Sequence, residues 1–206
     1  TLAESIAVSR RAAQTDGQSA GLVTGDRIPA RTLFDLMLVA SANDAAVALA
    51  ESLGNRFVQP SEDVLAAFVR VMNTRAQALG LTDTSFANPA GLDDPNNFST
   101  AADLVTLVKA SRSYPEIWEA LSKPSVSFVN SAGRVRTLHT TNDLLGVLPG
   151  LEGGKTGFTI EAGASMVAVS RIGFKQARVV TVILGNTDRF GETRRLVEWL
   201  EQAYRW

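Results

Sequence analysis

Apolar residues recur at helical spacing through the first half of the chain. Residues 29–38 and 43–53 place apolar side chains every three or four positions, which is the period of one helix face. A third helix is predicted from Ser61, the expected N-cap, to a stop at Gly80. Together with the segments that follow, these patterns make residues 29–123 the helical part of the chain.

The end of this helical part is marked by turn and capping signals. Residues 81–98 are rich in Asn, Asp, Pro and Gly, which predicts a long irregular connection. Thr100, with Asp103 three residues later, is the pattern of a capping box and predicts a helix to residue 111. A short further helix is predicted to begin at Pro115.

From residue 124 the pattern changes to β-branched runs separated by Gly-containing turns. The runs predict two hairpins followed by a closing amphipathic helix: 125–130 with 134–139, 163–172 with 178–185, and 191–206. Helices early, antiparallel strands late and a last helix indicate an α+β domain, with residues 124–206 as its sheet part.

The amino-acid composition excludes several classes of function but does not identify one. The 206 residues are 45% hydrophobic and carry 20 basic against 21 acidic residues, so no concentrated positive charge predicts a nucleic-acid partner. No repeat or linker divides them, and one domain over residues 1–206 is predicted. Cysteine is absent, which excludes thiolate metal sites and a cysteine nucleophile. No metal and no cofactor are predicted.

Two short motifs suggest chemistry. Ser41-Ala42-Asn43 lies between two predicted helices, and Lys155-Thr156-Gly157 precedes a predicted strand. Taken alone, the first motif is better explained as a helix N-cap, and the second is more often a turn than a functional site. A phosphate-binding loop is excluded, because its spacing requires Gly where Pro149 stands.

The motifs occur in the order found in active-site-serine, penicillin-recognising enzymes, where S-x-x-K is followed by S-x-N and K-T-G. The surrounding sequence strengthens the match almost from end to end. The matching words are SANDAAVALAE, LGLTDTSFANPAGLDDPNNFST, TTNDLL, GGKTGFT and RRLVEWL. The chain thus resembles the low-molecular-mass serine D-alanyl-D-alanine carboxypeptidases, peptidase family S11.

The resemblance implies a β-lactamase/D,D-peptidase fold, with an antiparallel sheet layered against helices and a helical subdomain. It implies removal of the terminal D-alanine from peptidoglycan pentapeptides ending in D-Ala-D-Ala, through an acyl-enzyme that penicillins and other β-lactams also form. It also implies a location in the bacterial cell envelope, either periplasmic or extracellular.

The resemblance further implies roles for the motif residues. Ser41 would relay a proton to the leaving group, and Asn43 would bind the substrate amide and position the lysine of the S-x-x-K motif. Lys155 would supply positive potential beside Ser41. Asn142 lies where the family often has an asparagine near the site, but a helix cap before Asp143 explains it equally well.

The K-T-G strand would bind the substrate backbone. The resemblance implies that the Thr156 and Thr159 hydroxyls bind the substrate carboxylate. Gly157 would leave room for close approach, and the Phe158 N–H would be one donor to the oxyanion.

One motif of the family is missing. No serine in the chain has a lysine three positions later. The resemblance implies that the S-x-x-K helix, with a first hairpin of the sheet, lies upstream of Thr1. We therefore expect that these 206 residues alone form no acyl-enzyme and fold with reduced stability.

Two alternatives stay open at this stage. A class A-type β-lactamase shares both motifs, but it needs a glutamate in an E-x-x-L-N context, which neither Glu116 nor Glu119 provides. A catalytically dead homologue that binds peptidoglycan would fit the missing S-x-x-K motif. The retention of Ser41, Asn43 and Lys155 argues against it.

Overall fold

The computed structural model describes residues 2–204 and confirms the α+β class. Every helix in this range is too short or too polar to span a bilayer. The strands are β1 Ser5–Ala7, β2 Arg27–Pro29, β3 Ser125–Val129, β4 Val135–His139, β5 Leu151–Thr159, β6 Gly163–Ile172 and β7 Ala177–Asn186. The helices are α1 Arg10–Ala13, α2 Ala30–Val39, α3 Asn43–Gly54, α4 Val64–Ala78, α5 Ala101–Ser111, α6 Pro115–Leu121 and α7 Arg189–Ala203.

The helical layer is built around α3. Its alanines are almost completely buried, and such small side chains let α2 and α4 approach it closely. Leu33 and Leu36 of α2 are fully buried in the same cluster, which reaches β1, β2 and β3. Both helices lie where their periodicity predicts them.

The start of α4 corrects the sequence prediction. Ser61 is not the N-cap; it lies in the preceding turn with a φ of 65°. The N-cap is Asp63, whose carboxylate accepts from the N–H groups of Leu65 and Ala66 and pairs with Arg11. An aspartate that has both partners caps more strongly than a nearby serine.

The predicted N-cap of α5 is confirmed, since the Thr100 side chain accepts from the N–H of Asp103 at 3.2 Å. The Asp103 carboxylate does not complete a capping box. It accepts from the Asp83 N–H and the Thr84 hydroxyl instead, and so ties the long connection to the helix. The predicted start of α6 at Pro115 is also confirmed.

The main sheet has the order β5-β6-β7 and is antiparallel throughout, so β5 is an edge strand. Both predicted hairpins are present. A second core cluster between this sheet and α7 contains Met166, Ile172 and Val197. The last helix begins two residues earlier than predicted; Arg205 and Trp206 lie outside the described residues.

No helix or strand is predicted before residue 29, where the structure has β1, α1 and β2. These elements are three or four residues long, which is too short for periodicity to reveal them. The antiparallel pairing of β1 with β2 brings Ser5 opposite Pro29.

One buried carboxylate anchors the segment between α1 and β2 to the start of α3. Asp44 is fully buried and accepts from the Ser19 hydroxyl at 2.7 Å. It also accepts from the N–H groups of Ala20 and Leu22, both at 3.0 Å, and of Ala45 at 2.9 Å. This segment forms one wall of the cleft described below.

The anchor predicts a large effect on stability. Asp44→Ala should lower the free energy of unfolding by about 3 kcal/mol or more, because it leaves several buried donors without a partner. Urea denaturation measures the change. Asp16→Ala removes an exposed carboxylate from the same segment and is the control. Equal losses for the two variants would contradict the anchoring role.

Candidate active site

The two predicted motifs lie next to each other where the helical layer meets the sheet. The Lys155 ammonium donates to the Ser41 Oγ at 2.6 Å and to the Thr156 carbonyl at 2.7 Å. Ser41 comes from the loop between α2 and α3, and Lys155 from the edge strand β5. A cleft of 790 Å³ opens along this seam. Every candidate residue except Asn142 lines it.

Ser41 occupies an unusual backbone conformation. Its φ is 58°, in the left-handed region that non-glycine residues rarely adopt. Ala40 and Ala42 on either side are almost fully buried, which fixes the loop and holds the serine hydroxyl towards the sheet. Backbone strain of this kind is common at functional sites.

Asn43 is the first residue of α3, and it is held in place by the segment between α1 and β2 that Asp44 anchors. Its N–H donates to the Gln18 carbonyl and its Nδ2 to the Asp16 carbonyl, both at 2.8 Å. Within residues 2–204 its Oδ1 accepts no hydrogen bond, so it is available to a ligand. Gly17 has a φ of 84°, and a Cβ there would lie 2.7 Å from the Asn43 Nδ2. This close approach requires glycine.

The position of Lys155 changes its acidity. Burial, and next the positive charge of Arg189, lower the pKa of the Lys155 ammonium from 10.5 to about 8. Arg189, at the start of α7, also donates to the Gly157 carbonyl at 2.8 Å. No motif pointed to Arg189, because its role follows only from where α7 begins.

The threonine hydroxyls of β5 have partners but keep donor capacity. The Thr156 and Thr141 hydroxyls share one hydrogen bond. Only one of the two hydroxyl hydrogens is used in this bond, so the other can be donated to a ligand. The Thr159 hydroxyl accepts from the Ala162 N–H at 2.9 Å, which leaves its own hydrogen free. Thr141 was missed as a site residue, although it lies in the quoted word TTNDLL.

Gly157 and Phe158 form the open part of the strand. A Cβ on Gly157 would meet no atom within 4 Å, so the space beside the strand is free. Phe158 is 68% exposed at the mouth of the cleft. An edge strand offers unpaired N–H and C=O groups to an extended peptide.

Asn142 is buried away from the cleft lining. Its Oδ1 accepts from the Leu144 N–H at 3.1 Å, as a turn cap does, and no helix follows it. Its Nδ2 has no hydrogen-bond partner among the described residues. Asn142 therefore caps a turn and not the helix that the alternative interpretation required, and a substrate contact by Asn142 stays a prediction.

Another wall of the cleft contains residues 88–94, the NPAGLDD loop, which the Asn88 side chain holds in shape. Its Oδ1 accepts from the N–H groups of Ala90, Gly91 and Leu92, and its Nδ2 donates to the Leu92 carbonyl. One side chain therefore folds the loop in the absence of regular structure.

A second cavity of 470 Å³ adjoins the cleft and shares Met37, Ala46 and Pro89 with it. Its other walls are mainly apolar side chains of β1, α2, α3 and α4. We call this cavity the adjoining groove. The apolar lining residues include Leu2, Ile6, Phe34, Leu49, Leu53 and Phe68.

The site combines a Ser-x-Asn loop on the helical layer with a Lys-Thr-Gly sequence on the facing edge strand, and this combination defines a class of enzyme. It is the arrangement of the penicillin-recognising enzymes with an active-site serine. The chemistry suits acyl transfer, because the cleft combines a hydroxyl, a buried cation and the edge of a strand.

Comparison with known proteins agrees with this class. The profile of the D-alanyl-D-alanine carboxypeptidase family, Peptidase_S11, matches residues 1–188. D-alanyl-D-alanine carboxypeptidase DacF of Bacillus subtilis is 29% identical over 98% of this chain and 50% of its own length. D-alanyl-D-alanine carboxypeptidase DacB2 of Mycobacterium tuberculosis is 34% identical over 87% of this chain and 59% of its own length. The crystal structure of a D-alanyl-D-alanine carboxypeptidase from M. tuberculosis H37Rv superposes with a TM-score of 0.84 at 27% identity, covering 100% of this chain and 76% of that one.

The chain therefore belongs to the D-alanyl-D-alanine carboxypeptidase family, peptidase family S11, as the sequence resemblance implied. It spans about half the length of the curated relatives it matches.

The burial of Lys155 predicts a pH dependence of stability. Its pKa is lower in the folded protein, so the unfolded chain binds more protons between pH about 8 and 10.5. The stability of the protein relative to Lys155→Met should therefore rise through this window, by up to about 3 kcal/mol. Urea denaturation of both proteins at several pH values measures the difference.

Lys175→Met is the control, because it removes an exposed ammonium at the other end of the same sheet. A difference between wild type and Lys155→Met that stays flat or falls across the window would show that the Lys155 ammonium is not buried at the seam.

Proposed function

We propose that this protein is a serine D-alanyl-D-alanine carboxypeptidase. It removes the terminal D-alanine from peptidoglycan stem peptides through an acyl-enzyme, and β-lactams acylate it in the same way. The substrate places its work in the bacterial cell envelope. The observation that carries the proposal is the hydrogen bond from Lys155 to Ser41 beside the open edge of β5.

In the proposed reaction, a substrate strand lies along β5 beside Gly157. The Phe158 N–H donates to the oxygen that becomes negative when the carbonyl is attacked. The Thr159 hydroxyl and the Thr156–Thr141 hydroxyl pair keep hydrogens that can bind the terminal carboxylate. The positive charges of Lys155 and Arg189 favour the same anion.

Proton transfer to the departing D-alanine amine is assigned to Ser41. When the C–N bond breaks, the amine takes the Ser41 hydroxyl proton and Ser41 regains one from Lys155, whose pKa of about 8 suits a proton donor near neutrality. The free Oδ1 of Asn43 accepts from the substrate amide. Water then hydrolyses the acyl-enzyme.

The nucleophile is proposed to come from outside these 206 residues. No serine here has the Ser-x-x-Lys spacing. The adjoining groove opens into the cleft and is lined by apolar side chains of several elements, which suits the apolar face of one further helix. We therefore assign the groove to a helix carrying Ser-x-x-Lys, with its serine directed at the cleft.

Labelling with a fluorescent penicillin tests both the acyl-enzyme chemistry and the origin of the nucleophile outside these 206 residues. The 206-residue chain alone should stay unlabelled, whereas its fusion to an upstream Ser-x-x-Lys segment from a family member should form a stable covalent adduct. In the fusion, Lys155→Ala should slow labelling by about 100-fold, because it removes the cation beside the reacting groups. Lys175→Ala should leave the rate unchanged.

Two results would contradict the proposal. If the folded fusion stays unlabelled, the chain belongs to a homologue that binds peptidoglycan without turnover. If the chain alone is labelled stoichiometrically, the nucleophile lies within it and the groove has another role. Release of D-alanine from a pentapeptide separates a carboxypeptidase from a β-lactamase.

A further inference from the structure

Thr141 connects the two elements that carry the motifs, although it does not line the cleft itself. Its backbone N–H donates to the carbonyl of Val39, the last residue of α2, at 3.2 Å. Its hydroxyl bonds the hydroxyl of Thr156 on β5, which does line the cleft. Thr141 is therefore tied both to the helix that leads to Ser41 and to the strand that carries Lys155, and its hydroxyl lies behind Thr156.

The direction of the bond between the two hydroxyls decides what Thr156 offers to a ligand. Among residues 2–204, each of these hydroxyls has the other as its single hydrogen-bond partner. If Thr141 donates, the Thr156 hydrogen is free for a ligand in the cleft. If Thr156 donates, its hydrogen is used inside the protein and the cleft receives an acceptor instead of a donor.

An anion in the cleft favours donation by Thr141. Both O–H dipoles then point towards the anion, and hydrogen bonds in such a chain strengthen each other. The surroundings also favour an anion, because two cations lie beside this hydroxyl. The Lys155 ammonium donates to the Thr156 carbonyl at 2.7 Å, and the Arg189 guanidinium donates to the carbonyl of Gly157, the next residue.

We propose that Thr141 is a positioning residue that makes the cleft select a free carboxylate next to the scissile peptide bond. Thr141 does not touch the substrate; it directs the Thr156 hydrogen at a carboxylate oxygen. A neutral carboxamide at the same place accepts this hydrogen less well, since hydrogen bonds to ionised acceptors are about twice as strong. The inference rests on the proposed carboxypeptidase function and adds a residue by which the site discriminates against a blocked C-terminus.

Replacement of Thr141 by valine isolates the role of its hydroxyl. Valine keeps the branched shape of threonine, and the N–H that bonds Val39 belongs to the backbone. The Thr156 hydroxyl then loses the donor behind it, in a position that is only 6% exposed. The bond from Thr156 to the substrate carboxylate should weaken, whereas the contact between Lys155 and Ser41 stays in place.

Steady-state kinetics of the fusion that carries an upstream Ser-x-x-Lys segment test the proposal. The substrates are two peptides ending in D-Ala-D-Ala, one with a free terminal carboxylate and one with a terminal carboxamide. Thr141→Val should raise KM for the carboxylate peptide by about fivefold, with kcat unchanged, and leave kcat/KM for the carboxamide peptide within about twofold. Thr141→Ser keeps the hydroxyl and should retain the KM of the unmodified fusion.

Thr137→Val is the matched control, because the Thr137 hydroxyl forms a similar pair with the Ser127 hydroxyl at 2.7 Å on the β3–β4 hairpin. Its kinetics should equal those of the unmodified fusion. The proposal is overturned if Thr141→Val keeps the original KM for the carboxylate peptide. It is also overturned if kcat/KM falls equally for both peptides, because that result would show a general structural role.

Failure of the proposed function gives a different result. The unmodified fusion would then release no D-alanine from the carboxylate peptide. The affinities of the 206-residue chain and of its Thr141→Val variant for the two peptides decide the role of Thr141 in that case. A loss of affinity confined to the carboxylate peptide supports the role, and an equal or absent loss overturns it.

Discussion

The site depends on one buried ammonium group at the seam between the helical layer and the sheet. The Lys155 Nζ bonds the Ser41 Oγ across that seam, and burial beside Arg189 lowers its pKa to about 8. A cation in such surroundings is costly unless its hydrogen bonds are satisfied. Its partners, the Ser41 hydroxyl and the Thr156 carbonyl, must therefore be held accurately, and the strained backbone of Ser41 is consistent with this requirement.

The walls of the cleft are irregular segments that single polar side chains hold in place. Asp44 anchors the segment before β2, Asn88 folds the NPAGLDD loop, and Asp103 ties the preceding connection to α5. In each case a side-chain oxygen accepts from backbone N–H groups that have no strand or helix partner. Rigidity in these loops thus comes from side-chain acceptors, and it gives the cleft a fixed shape without regular structure around it.

Prediction from sequence located the helices and strands whose residues repeat with a regular period. It failed for features that depend on a contact between distant parts of the chain. The periodic segments became α2 and α3, and the β-branched runs became the hairpins. The cap of α4 was misplaced by two residues, because Asp63 gains Arg11 from a distant part of the chain. The elements β1, α1 and β2 escaped notice because their few residues form structure only through pairing and packing with the rest of the fold.

The sequence by itself determined the secondary structure of the long elements, the α+β class and the family, since these follow from local periodicity and from words such as SANDAAVALAE and GGKTGFT. Only the tertiary structure decided the acidity of Lys155, the involvement of Arg189 and Thr141, the burial of Asn142 and the existence of the adjoining groove. The physical reason is distance along the chain. Ser41 and Lys155 are 114 residues apart, and burial, charge and shape at their contact arise only when the layers pack.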